Sequence, residues 1–376
     1  MSQNKKSEIQ DEALQTWVDN KCVGALAMAT GSGKSKVALL AIDYIVKTLK
    51  VKKPKICLIV PTESLRDHNW LEEFKKWKMT KYYKYLDRYC YVSINKIFDE
   101  NYDLVILDEL HNITESNSKF FMQNVSTRIL GLSATPPTDE TKKMLLKIHC
   151  PVVYEYRLDS AVEDNVVAPY KINLVEIQLN NTDKYISAGS KDKPFMTTEY
   201  NHYQYLTKLI MNHKFGGRAK AAMFAQLARQ RFLGNLKSKM DVAKLIKDKY
   251  MVGERALFFC HSIAQAEEIC SDTFHSKSSD KALKQLRNKD IQQLSCVKAL
   301  NEGENIPDLD SAIIIQINSV ERNLIQQTGR IVRWRPDHEA TIWVLVAVGT
   351  QDEVWWTKCS ENLDKQKITY LNSKNL

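Results

Sequence analysis

The chain has 376 residues, with 54 lysines and arginines against 45 aspartates and glutamates, a formal net charge of +9. That length allows two or three domains at roughly 100–200 residues each, and 44% hydrophobic with 26% charged residues is an ordinary water-soluble composition. No apolar run approaches the ~20 residues that span a bilayer, and the opening MSQNKKSEIQ lacks the apolar core of a secretion signal. A cytoplasmic protein without a membrane partner is therefore expected. Eight scattered cysteines without a CxxC pair point to reduced thiols, not to a disulfide frame or a zinc site. The positive balance fits a nucleic-acid partner and fits equally a well-solvated surface.

Short β-rich runs alternate with helical patterns through the first half. Strands are expected over residues 25–29, 56–60, 104–107 and 128–132. A helix is expected over 36–49, where Val37, Leu40, Ala41, Tyr44 and Ile45 recur at helical spacing, and another follows from Leu65, Trp70, Leu71, Phe74 and Trp77. Such alternation builds a parallel sheet covered on both faces. From about 182 to 252 the pattern turns basic and helical, and strands are not expected there. Alternation then resumes with strands over 256–260, 312–317 and 341–348, a helix over 263–271, a turn at Gly349–Thr350 and a helical tail from Asp352. The fold class is α/β, with domains over 1–155 and 253–376 joined by a crossover strand and basic helices over 156–252.

The first strand runs into ATGSGKS, residues 29–35, and the third into LVILDELH, residues 104–111. A glycine-rich turn between a strand and a helix lets backbone N–H groups wrap a pyrophosphate at the helix N-terminus. Thr30, Gly31, Ser32 and Gly33 form that turn, Lys34 reaches the β/γ-phosphates, and the Ser35 hydroxyl faces Mg²⁺. Met28 stands where the general pattern has its first glycine. Two carboxylates ending a hydrophobic strand suit Asp108 to the metal and Glu109 to the attacking water. ATP and Mg²⁺ are the expected ligands. In the second half QQTGRIVR, residues 326–333, places Arg330 and Arg333 three residues apart on a helical pattern. Both guanidinium groups can then face one target, and the arginine fork matches phosphate oxygens. Alone such a pair reads as a solvated helix face; in a chain with a phosphate-binding loop it reads as a phosphate sensor.

Taken in order, these motifs resemble a superfamily 2 DExH helicase, of the branch containing XPB and the motor subunits of type III restriction enzymes. Gln10, in IQDEALQTW, resembles the glutamine that reads adenine. PTESLRDHNW (61–70) and YVSIN (91–95) resemble two nucleic-acid-gripping segments, and LGLSATP (130–136) resembles the coupling motif. VVYEYRLDSAVEDNVVAPY (152–170) is similar to the interdomain crossover, and ALFFCHS (256–262), LNEGENIPD (300–308) and QQTGRIVR complete the series. Cys296 stands where a nucleic-acid-binding threonine is frequent, and Asn305 replaces a usual aspartate.

The resemblance implies two tandem RecA-like domains closing over one ATP, with Gln326, Arg330 and Arg333 supplied by the second. It implies that His111, Ser133 and Thr135 link hydrolysis to movement, and that Thr62, Arg66, Ser93 and Asn95 contact the strand. His261, Glu302 and Gly303 fall in the corresponding motifs of the second domain. An ATP-dependent helicase or translocase is expected, with DNA favoured over RNA because the DEAD-box signature around the adenine-reading glutamine is missing. An RNA-dependent ATPase and a non-hydrolysing scaffold are the alternatives; loss of Lys34, Asp108 or Glu109 would mark the scaffold, and all three are present.

Overall fold

A computed structural model describes the chain except residues 1, 127, 135, 138, 191, 298–305, 307, 318–337 and 362. The described residues form two compact units, divided between Pro169 and Tyr170. Thr135, Glu302, Gly303, Gln326, Arg330 and Arg333 lie outside the described residues.

In the first unit the strands are β1 (Val23–Met28), β2 (Ile56–Val60), β3 (Leu86–Cys90), the short β4 (Asn101–Tyr102), β5 (Leu104–Leu107), the short β6 (Val125–Ser126), β7 (Ile129–Ser133) and β8 (Val152–Tyr156). β4 pairs with β6; the other six form one sheet in the order β3-β2-β5-β7-β1-β8, parallel throughout. Every residue of β2, β5 and β7 is buried, which is why these strands read as unbroken apolar runs. Helices α1 (Ser2–Asp19), α2 (Lys34–Lys47), α3 (Trp70–Lys76), α4 (Ser118–Gln123), α5 (Glu140–His149) and α6 (Leu158–Glu163) complete the unit. In a parallel sheet every strand ends at the same edge, so the turns after β1, β2, β5 and β7 are brought together there.

The second unit holds β9 (Tyr170–Ile177), β10 (Ile186–Ser190), β11 (Lys193–Thr197), α7 (Glu199–Phe215), α8 (Ala219–Gly234), α9 (Lys237–Tyr250), β12 (Ala256–Cys260) and α10 (Ile263–Ile269). It continues through β13 (Thr273–Phe274), α11 (Lys281–Asn288), β14 (Gln293–Val297), β15 (Ser311–Ile314), β16 (Ala340–Ala347), the helix Gln351–Cys359 and β17 (Ile368–Asn372). Seven strands pair in parallel in the order β13-β14-β12-β15-β16-β9-β17. Among the described residues no helix is long and apolar enough to cross a membrane.

Two features differ from the pattern-based expectation. The stretch 182–252 is not free of strands, because β10 and β11 pair antiparallel. Lys193 to Met196 are exposed, so no buried face imposes an alternating pattern on this hairpin. The tail from Asp352 is helical only to Cys359; β17 then adds to β9, and with Ile368 its one buried residue it leaves no periodic signal. The segment 152–170 contributes β8 to the first sheet and reaches β9 of the second, with α6 between them.

Helix α9 packs Met240, Ala243 and Ile246 into the core against β12 and β16. The adjacent Lys239 is fully buried and ion-paired with the fully buried Asp352 at 2.5 Å. Lys239 Nζ also donates to Gln316 Oε1 at 2.7 Å, and Gln316 Nε2 donates to Asp352 Oδ1 at 3.1 Å and to the Ile317 carbonyl at 2.6 Å. A buried pair gains little over apolar packing, but breaking it strands a charge in a low-dielectric site. Lys239→Met is expected to lower unfolding stability by about 3–5 kcal/mol. Adding Asp352→Asn, which keeps an acceptor for the Ala347 N–H now bonded at 3.2 Å, should recover a sizeable part. Urea denaturation of the single and double variants measures both, and a double variant no more stable than the single would remove the stranded charge as the cause.

Candidate active site

The phosphate-binding turn begins where β1 runs out. Gly31 and Gly33 both have positive φ, 91° and 96°, the left-handed backbone that glycine adopts without a side-chain penalty. Gly33 caps α2, so the turn delivers its N–H groups to the positive end of that helix. Ser32 is fully buried, its hydroxyl donating to the Ala29 carbonyl at 2.7 Å, which closes the turn on itself. The Lys34 ammonium donates to the Met28 carbonyl at 3.2 Å and therefore lies across the mouth of the loop. Gln10 is buried, and its Nε2 donates to the Ser32 carbonyl at 2.8 Å. A Cβ at Gly33 would stand 2.2 Å from Gln10 Nε2, so the close approach of α1 requires glycine there.

Asp108 follows β5 directly and is 8% exposed. Trp70 Nε1–H donates to its Oδ2 at 2.9 Å, and the Glu109 backbone N–H donates to its Oδ1 at 3.0 Å. Burial, and secondarily the Glu109 charge, pushes the carboxyl up to about 7, against the opposing pull of the Trp70 hydrogen bond and the Lys34 ammonium. Tyr91 Oη donates to the Asp108 carbonyl at 3.0 Å. Trp70 and Tyr91 read in the sequence as a helix-face aromatic and part of a gripping segment; their role in holding Asp108 had no sequence signal beyond their place in those motifs.

Glu109 has φ 46° and ψ 55°, a left-handed conformation that costs a non-glycine residue about 1–2 kcal/mol. This kink turns the chain out of β5 into the short helical turn Leu110–Asn112. His111, 1% exposed, stands with Nδ1 at 3.2 Å from Ser133 Oγ and at 3.5 Å from Glu109 Oε2. Asn112 Nδ2 lies 3.2 Å from His111 Nε2 and is a donor only, which makes Nε2 the acceptor and leaves the proton on Nδ1. Lys142 of α5 donates to the His111 carbonyl at 2.8 Å. Glu109 Oε2 is buried with no hydrogen-bond partner among the described residues.

The strand-gripping candidates are spread over the first unit. Thr62 Oγ1 accepts from the Leu65 N–H at 3.4 Å at the end of β2. Arg66 forms a two-pronged pair with Asp67, at 2.9 and 2.8 Å, which lowers the Asp67 pKa and raises that of Arg66. Ser93 donates to the Cys90 carbonyl at 2.9 Å, and Asn95 Oδ1 accepts from Asn117 at 3.4 Å. In the second unit His261 follows β12 and packs so closely on the end of α8 that a Cβ at Gly234 would meet its ring at 2.4 Å. The structure thus brings Gln10, Thr30 to Ser35, Asp108, Glu109, His111 and Ser133 to one edge of the first sheet, while Thr62, Arg66, Ser93 and Asn95 follow β2 and β3.

Asp108 is an acid whose folded pKa, pushed up to about 7, lies above its unfolded value of about 3.9. Its ionisation costs stability progressively as pH rises from about 4 to about 7, and fully above that. The thermal stability of Asp108→Asn relative to wild type is therefore expected to improve as pH is raised through that window, in melting curves of the nucleotide-free protein. A difference that stays constant with pH would show that the carboxyl is not destabilised by burial.

Comparison with known proteins adds the family. The model of the type III restriction enzyme res subunit matches residues 4–138, and that of the helicase conserved C-terminal domain matches residues 238–335. The chain is 26% identical to the DNA 3'-5' translocase XPB2 of Sulfurisphaera tokodaii, over 92% of this chain and 82% of that protein. Among solved structures, the DNA-bound Type ISP restriction-modification enzyme LlaBIII superposes with a TM-score of 0.61 at 14% identity, over 97% of this chain and 31% of that one. S. cerevisiae Dbp5 bound to RNA and ADP BeF3 superposes with a TM-score of 0.62 at 12% identity, over 98% and 90%. With a glycine-turn lysine, a buried Asp108 beside Glu109 and two parallel-sheet units, the chain carries a type III restriction enzyme res-subunit domain followed by a helicase C-terminal domain, and is an XPB-like, ATP-hydrolysing superfamily 2 helicase.

Proposed function

We propose that this protein is a DNA helicase or translocase whose ATP hydrolysis drives movement along a strand. The observation that carries the reading is the chain of contacts from Asp108 through Glu109 and His111 to Ser133. It connects the carboxylates after β5 to the end of β7, where the coupling motif begins. In this reading residues 1–155 are the ATP-binding domain, 156–252 the crossover and basic helices, and 253–376 the C-terminal domain.

Gly31 and Gly33 present backbone N–H groups to the phosphates, and Lys34 moves from the Met28 carbonyl to the β/γ-phosphates. Gln10 adds adenine recognition. Ser35 and Asp108 suit Mg²⁺: a carboxyl pushed toward neutrality by burial regains its charge beside a cation, and the remaining ligands in such sites are phosphates and water. When bound, Mg²⁺ neutralises the β- and γ-phosphate oxygens. Glu109, whose Oε2 is buried without a hydrogen-bond partner among the described residues, orients the attacking water. Gln326, Arg330 and Arg333 are read as the residues that answer the γ-phosphate. Thr62, Arg66, Ser93, Asn95, His261, Glu302 and Gly303 hold the strand, and His111, Ser133 and Thr135 carry the hydrolysis signal to it.

DNA is favoured over RNA by the similarity to a DNA translocase and by the missing DEAD-box signature, and travel is read as 3′ to 5′ on the same similarity. The eight cysteines are free and buried, which fits a reducing cytoplasm.

ATPase rate measured side by side with single-stranded DNA, duplex, forked DNA and RNA, at one salt concentration, tests the partner. Stimulation by DNA above RNA is expected; no DNA stimulation overturns the reading, and stimulation by RNA alone replaces it with an RNA-dependent ATPase. Lys34→Ala should abolish turnover. Arg330→Ala should retain nucleotide binding while hydrolysis falls by on the order of 10³. Unchanged steady-state turnover in that variant would remove the finger assignment.

A further inference from the structure

Residues Lys6, Gln10, Ala13 and Trp17 recur at spacings of four, three and four, so they share one stripe of α1. The C-terminal end of the stripe is anchored: Ala13 and Trp17 are fully buried, and Trp17 Nε1–H donates to the Ile129 carbonyl at 2.9 Å, where β7 begins. The other end meets the phosphate-binding turn. Gln10 Nε2 donates to the Ser32 carbonyl at 2.8 Å, and Lys6 Nζ donates to the Gly31 carbonyl at 2.5 Å. Two donors one helical turn apart therefore hold the carbonyls of two successive peptides.

In a trans peptide the carbonyl and the following N–H point in opposite directions. No cis peptide is present among the described residues. Drawing the Gly31 carbonyl toward α1 turns the Ser32 N–H away from the helix, and drawing the Ser32 carbonyl there does the same for the Gly33 N–H. The Ser32 N–H donates within the turn to the Ala29 carbonyl at 3.2 Å, which leaves the Gly33 N–H to the concavity that binds phosphate at the start of α2. The hold matters because glycines flank Ser32 on both sides, and glycine peptides reorient at little steric cost.

We propose that Lys6 is a positioning residue for the nucleotide's phosphate chain: with Gln10 it fixes the peptides on either side of Ser32, so that the turn stays closed on Ala29 and the Gly33 N–H faces the anion. The proposal rests on reading this turn as the triphosphate site, and it gives Gln10 a task independent of the base. Preorganised donors bind an anion without first reorganising, so loss of the hold lowers affinity for any polyphosphate.

Isothermal titration of the full chain with tripolyphosphate, ATP and GTP tests this. Lys6→Met is expected to weaken all three by a common factor of about ten, the size of a lost charge-assisted hydrogen bond, and Lys6→Arg, which keeps the donor, to restore them. Gln10→Ala should weaken tripolyphosphate too, which adenine reading alone would leave unchanged. Tripolyphosphate affinity within about twofold of wild type in Lys6→Met overturns the proposal. So does a loss that vanishes at high salt, the sign of long-range charge attraction instead of a fixed contact. Failure of the wild type to bind either ATP or tripolyphosphate would instead sink the nucleotide-site reading, and this one with it.

Discussion

A single buried carboxylate sets the terms for the first unit. Asp108 sits at the end of a fully buried strand, where water cannot solvate its charge, and burial is the largest influence on its acidity. The donors that offset this cost come from different connections of one sheet: Trp70 after β2, the Glu109 N–H after β5, and the nearby Lys34 after β1. They converge because parallel strands all end at the same edge. An apolar residue at this position would serve stability better. Retaining the acid makes sense in a site where a bound cation would supply the missing positive charge, folding stability being traded for binding.

The neighbouring Glu109 extends the same trade. Its left-handed backbone stores strain, and the resulting kink brings His111 between a carboxylate and a hydroxyl. Ser133 ends β7, the strand that lies between β5 and β1 in the sheet. A shift at the carboxylates therefore has a short route, through one protonated imidazole nitrogen, to the strand standing between the two motifs.

In the second unit the helices are welded to the sheet by buried polar groups. Glu199, fully buried at the start of α7, accepts the Asn180 N–H and the Ser238 N–H, both at 3.0 Å, and so ties the beginning of α9 to α7. One residue on, Lys239 enters the pair with Asp352 and reaches Gln316. Gln316 in turn donates to the Ile317 carbonyl, the last described main-chain group before the segment carrying Gln326, Arg330 and Arg333. Geometry-demanding pairs of this kind contribute little net energy but specify one arrangement.

The strands buried on both faces were legible because a parallel sheet demands uninterrupted apolar runs, and β2 and β5 begin and end where the pattern puts them. The glycine turn and the DELH pair were legible for a related reason: phosphate and metal chemistry need particular residue types at close, local spacing. The hairpin β10–β11 and the edge strand β17 left no signature, because backbone pairing, not a buried face, defines them. What sequence alone could not supply is every partnership between distant positions. Trp70 on Asp108, His111 on Ser133, Lys239 on Asp352 and Lys6 on Gly31 join residues 38, 22, 113 and 25 positions apart. Local pattern says which residues can donate or accept; only the folded chain, by bringing connections to one sheet edge and excluding water there, decides who meets whom and at what cost.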